Sequence, residues 1–278
     1  MKKRQRTALF VWAAAVAFPA LVLSAPRGTS GETVRISGTG GAIESIRRLG
    51  ISFMKSNPSV KIAIPPSMGS SGGIKAVLAG KLDVSVSARP LAKGERGRGG
   101  REIPYARTPF VFAVHGKTAR SGVTRDEVLA IYEGKKTAWG DGSRIRLVLR
   151  PRSDSDIDAL LAMWPEMGHA LDAAYRREGM MTAMTDQDAA DVLEKVPGAF
   201  GTTTLSLVTT ERRDIRILAL DGVRPSPERL ADGSYPHAKT FFLVTGANPP
   251  PAVRAFIAFI RSPAGASILR TSGQEAVP

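Results

Sequence analysis

Three short stretches concentrate the residues able to do chemistry. They are Gly38-Thr39-Gly40-Gly41, Gly69-Ser70-Ser71-Gly72-Gly73 and Arg150-Pro151-Arg152-Ser153-Asp154-Ser155. Each stands after an alternating apolar run, the signature of a strand, and before apolar residues at helical spacing. A helix that opens on glycine, serine and threonine presents free backbone N–H groups, hydroxyl donors and the positive end of its dipole, which together suit an anion. Arg150 or Arg152 adds a planar guanidinium whose paired donors fit an oxyanion. The ordinary alternative for each stretch is a capped helix start that binds nothing. Other chemistries find less support. His115 and His237 are isolated, and His169 with Met180, Met181 and Met184 offers no consistent ligand set for copper. No Ser-His-Asp order stands out, no His/Asp set suggests a hydrolytic metal, and there is no cysteine. No metal, cofactor or catalytic residue is therefore expected.

The elements that must position these loops are readable. Thr33–Ser37 alternates as a first strand, followed by a helix through Ile43, Ile46, Leu49 and Phe53 that Asn57-Pro58 ends. Val60, Ile62 and Ile64 form a second strand. The central loop then feeds an amphipathic helix carrying Ile74, Val77 and Leu78, with Gly80 as its stop. Leu82, Val84 and Val86 alternate with Asp83, Ser85 and Ser87 as a third strand. Lys93–Arg101, rich in glycine and arginine, predicts an exposed mobile loop. Ile103–Tyr105 and Val111–Val114 predict a pair of strands leading to a second lobe. Thr124 and Glu127 spell a capping box for a helix through Val128, Leu129 and Tyr132. Ile145, Leu147 and Leu149 give a strand ahead of the Arg150 loop, and Ile215–Leu218 and Thr240–Val244 give two more. A helix over Pro251–Ile260 and a short terminal one close the chain.

The stretch from Gly69 to Leu91 resembles the phosphate-binding, PstS-like proteins of ABC importers, whose pattern reads G-S-S-G-G-V-K…V-D-F-G-A-S-D-A-P-L. Gly38–Ala42 is similar to that family's opening T-G-A-G-A-T-F-P. Ile131–Trp139 resembles its I-F-x-G-K-x-x-x-W element, Arg150–Ser155 its R-x-x-G-S-G-T loop and Pro197–Gly201 its P-G-A-I-G-Y turn. The resemblance implies an extracytoplasmic binding protein that captures phosphate or a related oxyanion and delivers it to a permease. It implies ligand contacts from Thr39, Gly40, Gly41, Ser70, Ser71, Ser87, Arg150, Ser153, Asp154 and Ser155. Three departures stand out. The family's ligand-binding threonine falls on Ala42, so Thr39 or Ser37 must supply the hydroxyl. Its aspartate after the counterpart of Ser87 falls on Ala88, with Arg89 beside it. Asp154, where the family has glycine when the loop is counted from Arg150, would restore a carboxylate that accepts the phosphate proton, or would only cap its helix.

Composition fits an exported anion binder. Lys2, Lys3, Arg4 and Arg6 precede an apolar run ending near Val22-Leu23, and Ser24-Ala25 offers a cleavage point, so residues 1–24 read as a signal peptide. Removing those four bases, with no acid, lowers the formal net charge from +14 to +10. The expectation is a periplasmic monomer without a lipid anchor, binding no nucleic acid. The fold class expected is α/β, a type II periplasmic binding protein: mixed sheets flanked by helices, two lobes and a two-strand hinge. The first lobe is expected over 31–114 and 239–278, the second over 115–238, with the ligand between them at the carboxyl ends of strands.

Overall fold

The structure is a computed structural model that describes residues 31–277; the expected signal peptide lies outside these residues. The chain begins β1 (Glu32–Gly38), α1 (Gly40–Ser56), β2 (Val60–Ala63), α2 (Gly69–Leu78), β3 (Val84–Ser87), α3 (Lys93–Gly97) and β4 (Arg101–His115). It continues with β5 (Gly122–Val123), α4 (Arg125–Glu133), β6 (Arg146–Leu149), α5 (Ser155–Leu161), α6 (Met167–Arg176), β7 (Met181–Thr182) and α7 (Asp186–Lys195). Next come β8 (Ala199–Thr204), α8 (Leu205–Glu211), β9 (Ile215–Ile217), β10 (Ala219–Leu220) and α9 (Pro227–Ala231). β11 (Ala238–Thr245), α10 (Pro251–Ile260), α11 (Pro263–Thr271) and β12 (Glu275–Ala276) finish it.

The strands pair in the order β2-β1-β3-β11-β4-β8-β6-β7. β2, β1 and β3 run parallel, β11 and β4 are antiparallel to their neighbours, and β8, β6 and β7 are parallel again. This is the mixed α/β, two-lobed architecture expected. β4 joins its halves. Residues Arg101–Pro109 pair with β11, and Phe110–Val114 pair with β8. The cores change at the same point on the strand. Tyr105 and Ala106 pack with Val34, Ile36, Leu49, Phe53, Val86 and Phe256, whereas Phe110 and Phe112 pack with Tyr132, Trp139, Leu147 and Phe200. The chain returns alongside at His237, whose carbonyl accepts from the Phe110 N–H at 3.0 Å.

Two expectations are corrected. The predicted strand pair over 103–114 is one 15-residue strand, β4; Pro104 is tolerated because β11 carries a register irregularity between Phe241 and Phe242 opposite it. The strand read from the alternation around Val84 forms as β3, with all four of its residues buried. A strand flanked by β1 and β11 and covered by helices has no solvated face. Lys93–Arg101 is exposed for the most part, as expected, but its first five residues, Lys93–Gly97, form a helix rather than a loop. Glu95 accepts from the Ala92 N–H at 2.7 Å and pairs with Arg89 at 2.9 Å, which fixes α3, and Arg96 pairs with Glu102. The capping box of α4 forms as read, with Glu127 N–H donating to Thr124 Oγ1 at 3.2 Å.

Candidate functional site

A cleft of about 300 Å³ opens between the halves. One wall carries Thr39 and Ser67–Gly72, with Arg89 at the rim. The other carries Arg150, Ser153, Asp154, Ser155, Thr185 and Asp186. The first wall exists because two strand-to-helix turns are held together. Gly38 ends β1 at φ +147°, a conformation side chains rarely adopt, and a Cβ there would fall 1.9 Å from the Val86 carbonyl oxygen. This close approach lets Thr39 N–H donate to the Val86 carbonyl at 2.8 Å and delivers Thr39 and the start of α1 to the cleft. At α2, the Ser70 hydroxyl oxygen accepts from the Ala88 N–H at 2.9 Å and the Ser71 hydroxyl oxygen from Arg89 Nη2 at 3.1 Å. Ser155 Oγ accepts from Lys239 Nζ at 2.9 Å. All three oxygens are engaged as acceptors, so each O–H remains able to donate. A set of donors is what an acceptor-only ligand requires.

Arg150 is buried, and its side chain is only 4% exposed. Nη1 donates to the Ala183 carbonyl at 3.1 Å, and Nη2 to Asp154 Oδ2 at 2.7 Å and Asp186 Oδ1 at 3.2 Å. Its Nε lies 3.9 Å from Asp156 Oδ2 and makes no hydrogen bond. Asp156 in turn pairs with Lys239 Nζ and accepts from Thr202 Oγ1 at 3.0 Å. Burial works against ionising Arg150, Asp154, Asp156 and Lys239. For Asp156, Lys239 and Arg150 outweigh burial and hold its carboxyl below the usual range. For Arg150 and Lys239, the surrounding aspartates outweigh burial and raise them. For Asp154, burial and the Asp156 charge prevail and push its carboxyl up. Oxygens of Asp154, Asp156 and Asp186 lie within 4.8 Å of one another. Arg150 and Lys239 already hold those oxygens, so the cluster is an ion-pair network rather than a cation cage.

Of the residues expected at the site, Thr39, Ser70, Ser71, Arg150, Ser153, Asp154 and Ser155 are brought together in the cleft wall. Gly40, Gly41 and Ser87 are not among the lining residues. Gly40 is covered by Gln187, and the Gly41 N–H is spent on Asp186 Oδ2 at 2.9 Å. Ser87 lies at the buried end of β3, where its hydroxyl donates to the Arg89 carbonyl at 2.6 Å and accepts from Arg89 N–H at 3.2 Å. Between Ser37 and Thr39, Ser37 is occupied with the Pro66 carbonyl and Thr39 faces the cleft. Arg152 points away, 59% exposed, paired with Asp172 and lying over the Tyr175 ring. Asp154 does cap α5, with Oδ1 accepting from the Asp156 N–H at 2.9 Å. Sequence reasoning missed Arg89, Asp156, Asp186 and Lys239. The readable signals were a lone lysine in an apolar strand and an aspartate following Thr185, the cap of α7.

Residues 23–264 match the PBP superfamily domain, and the chain belongs to that superfamily. The phosphate-binding protein PstS of Bacillus subtilis is 26% identical over 191 residues, 66% of this chain; the match spans 60% of that protein's own length. A Clostridium perfringens structure described as a phosphate ABC transporter substrate-binding protein with bound phosphate superposes with a TM-score of 0.77 at 23% identity. It covers 89% of this chain and 100% of its own. The LysR-family transcriptional regulator CbnR shares the fold at 18% identity and a TM-score of 0.56, over 84% of this chain and 70% of its own.

Proposed function

We propose that this chain captures an inorganic oxyanion, phosphate before others, between its two lobes and delivers it to an ABC importer from the periplasm. One observation carries the reading. A buried arginine faces a cleft whose hydroxyls, on Ser70, Ser71 and Ser155, each accept from the protein and so keep an O–H able to donate. Charge-assisted and oriented donors with no nucleophile–base pair among them suit binding rather than turnover. The lobes would be 31–114 with 239–278, and 115–238, hinging where β4 and the segment before β11 cross; closure around a ligand is the usual motion of such folds. The relatives that bind phosphate support the choice of ligand, and Asp154, which lines the cleft, would as a carboxylate offer an acceptor for the proton that phosphate keeps and sulfate lacks.

A second reading is anion sensing without transport, because a transcriptional regulator shares the fold. Phosphate uptake separates the two. Deleting the gene should lower high-affinity phosphate uptake by whole cells, and the wild-type gene should restore it. Unchanged uptake together with a changed transcriptional response to phosphate would favour sensing.

A further inference from the structure

The start of α1 is already occupied by an anion, and that anion belongs to the protein. Asp186, the first residue of α7 on the second half of the fold, reaches across the cleft floor. Its Oδ2 accepts from Thr39 Oγ1 and from the Gly41 N–H, each at 2.9 Å, while Oδ1 accepts from Arg150 at 3.2 Å. The carboxylate thus takes the helix-terminal donors of one lobe and the guanidinium of the other, which are the groups an incoming oxyanion would use. Its neighbour Gln187 reinforces the bridge by donating to the Gly40 carbonyl at 3.3 Å.

The charge balance gives this position its meaning. Around the cleft floor, Asp154, Asp156 and Asp186 face Arg150 and Lys239, three negative groups against two positive ones. Arg89 at the rim is balanced by Glu95. An oxyanion added to this arrangement would meet three carboxyl groups, one of which, Asp186, already holds the donors at the start of α1. Asp156 is locked under Lys239 and Thr202, and Asp154 is tied to the start of its own helix. Asp156 also reaches the first lobe, through Lys239 on β11, but Asp186 alone among the three bonds the start of α1, and any opening that parts α7 from α1 breaks those bonds. The cap of α7 does not depend on it, because Thr185 and Asp188 supply that.

We propose that Asp186 is an internal stand-in for the ligand: it latches the empty cleft shut, and phosphate binds by displacing it from Thr39, Gly41 and Arg150. The latch rests on the oxyanion reading for its physiological purpose, while the bonds that make it are those of Asp186 to Thr39, Gly41 and Arg150. It lowers apparent affinity, because binding draws only on the unlatched fraction of molecules. Removing the competing charge therefore strengthens binding, opposite to what losing a ligand contact would do.

The test uses the mature wild-type protein and Asp186→Ala, with Asp186→Ser as a second variant if the first melts early. Small-angle X-ray scattering without ligand should give a larger radius of gyration for the variant. Calorimetry with inorganic phosphate should show binding about fivefold tighter or more, the lower range of ordinary coupling between sites. Equal radii for the ligand-free proteins overturn the latch. So does weaker phosphate binding by the variant, which would make Asp186 part of the ligand's own frame. A larger variant radius with no oxyanion bound by either protein keeps the latch and removes the phosphate reading instead.

Discussion

At the scale of single residues, the cleft depends on a buried charge network that contributes little to stability while it is whole and costs much when broken. Lys239 is 3% exposed and holds Asp156, which stands behind Arg150. Lys239→Met leaves Asp156 without its cation and should cost about 3–5 kcal/mol. Adding Asp156→Leu should recover most of that loss, since a pair replaced by apolar groups of similar size is often neutral. Urea titrations of the two single variants and the double variant measure both effects. Losses that simply add would mean the two side chains do not interact. The residues alone left Arg150 and Arg152 open, the family resemblance put Arg150 first, and Arg150 is the one that lines the cleft. Its partners were not legible, because Asp186 and Lys239 lie 36 and 89 positions further on in sequence and only the folded sheet brings them together. Ser87, expected at the site through the resemblance, lies off the cleft lining at the buried end of β3. Strand alternation cannot reveal that a helix covers the other face.

Among the elements, strand-to-helix turns were the most readable parts because their chemistry is local: glycine where the backbone must pass close, hydroxyls at the helix start, a capping box at α4. The glycine–arginine stretch misled because composition alone argued for a solvated loop, whereas Glu95 and Glu102 each find an arginine and tie α3 down. Glu95 is the clearest acid sensor of this corner. A hydrogen bond from Arg89 brings its carboxyl from the ordinary 4.5 to about 2. The stabilisation is fully present above about pH 4.5 and is lost as pH falls towards 2, because the folded state then resists protonation that the unfolded chain accepts. Glu95→Gln should therefore lower stability at neutral pH by on the order of 1 kcal/mol, given solvent screening. It should also flatten the dependence between pH 5 and 2. Thermal melts of both proteins across that range test this, and an unchanged slope would show that the Arg89 pair contributes nothing to folding.

For the whole molecule, chain length and the family resemblance were what pointed to two lobes, while the apolar periods gave only the individual strands and helices. The sequence could not show that one strand, β4, serves both cores, since nothing in the residues from Tyr105 to Phe112 marks where one core ends. The fold by itself does not choose between import and sensing, as its appearance in a transcriptional regulator makes plain. The choice of ligand rests on the cleft. Isothermal titration of the mature protein with phosphate, sulfate, molybdate and arsenate tests that claim most directly. The predicted result is one-to-one binding with phosphate preferred, weakened about tenfold or more in Arg150→Lys, where a point charge replaces the paired donors of the guanidinium. Absence of heat and of any thermal shift with all four oxyanions would contradict the account.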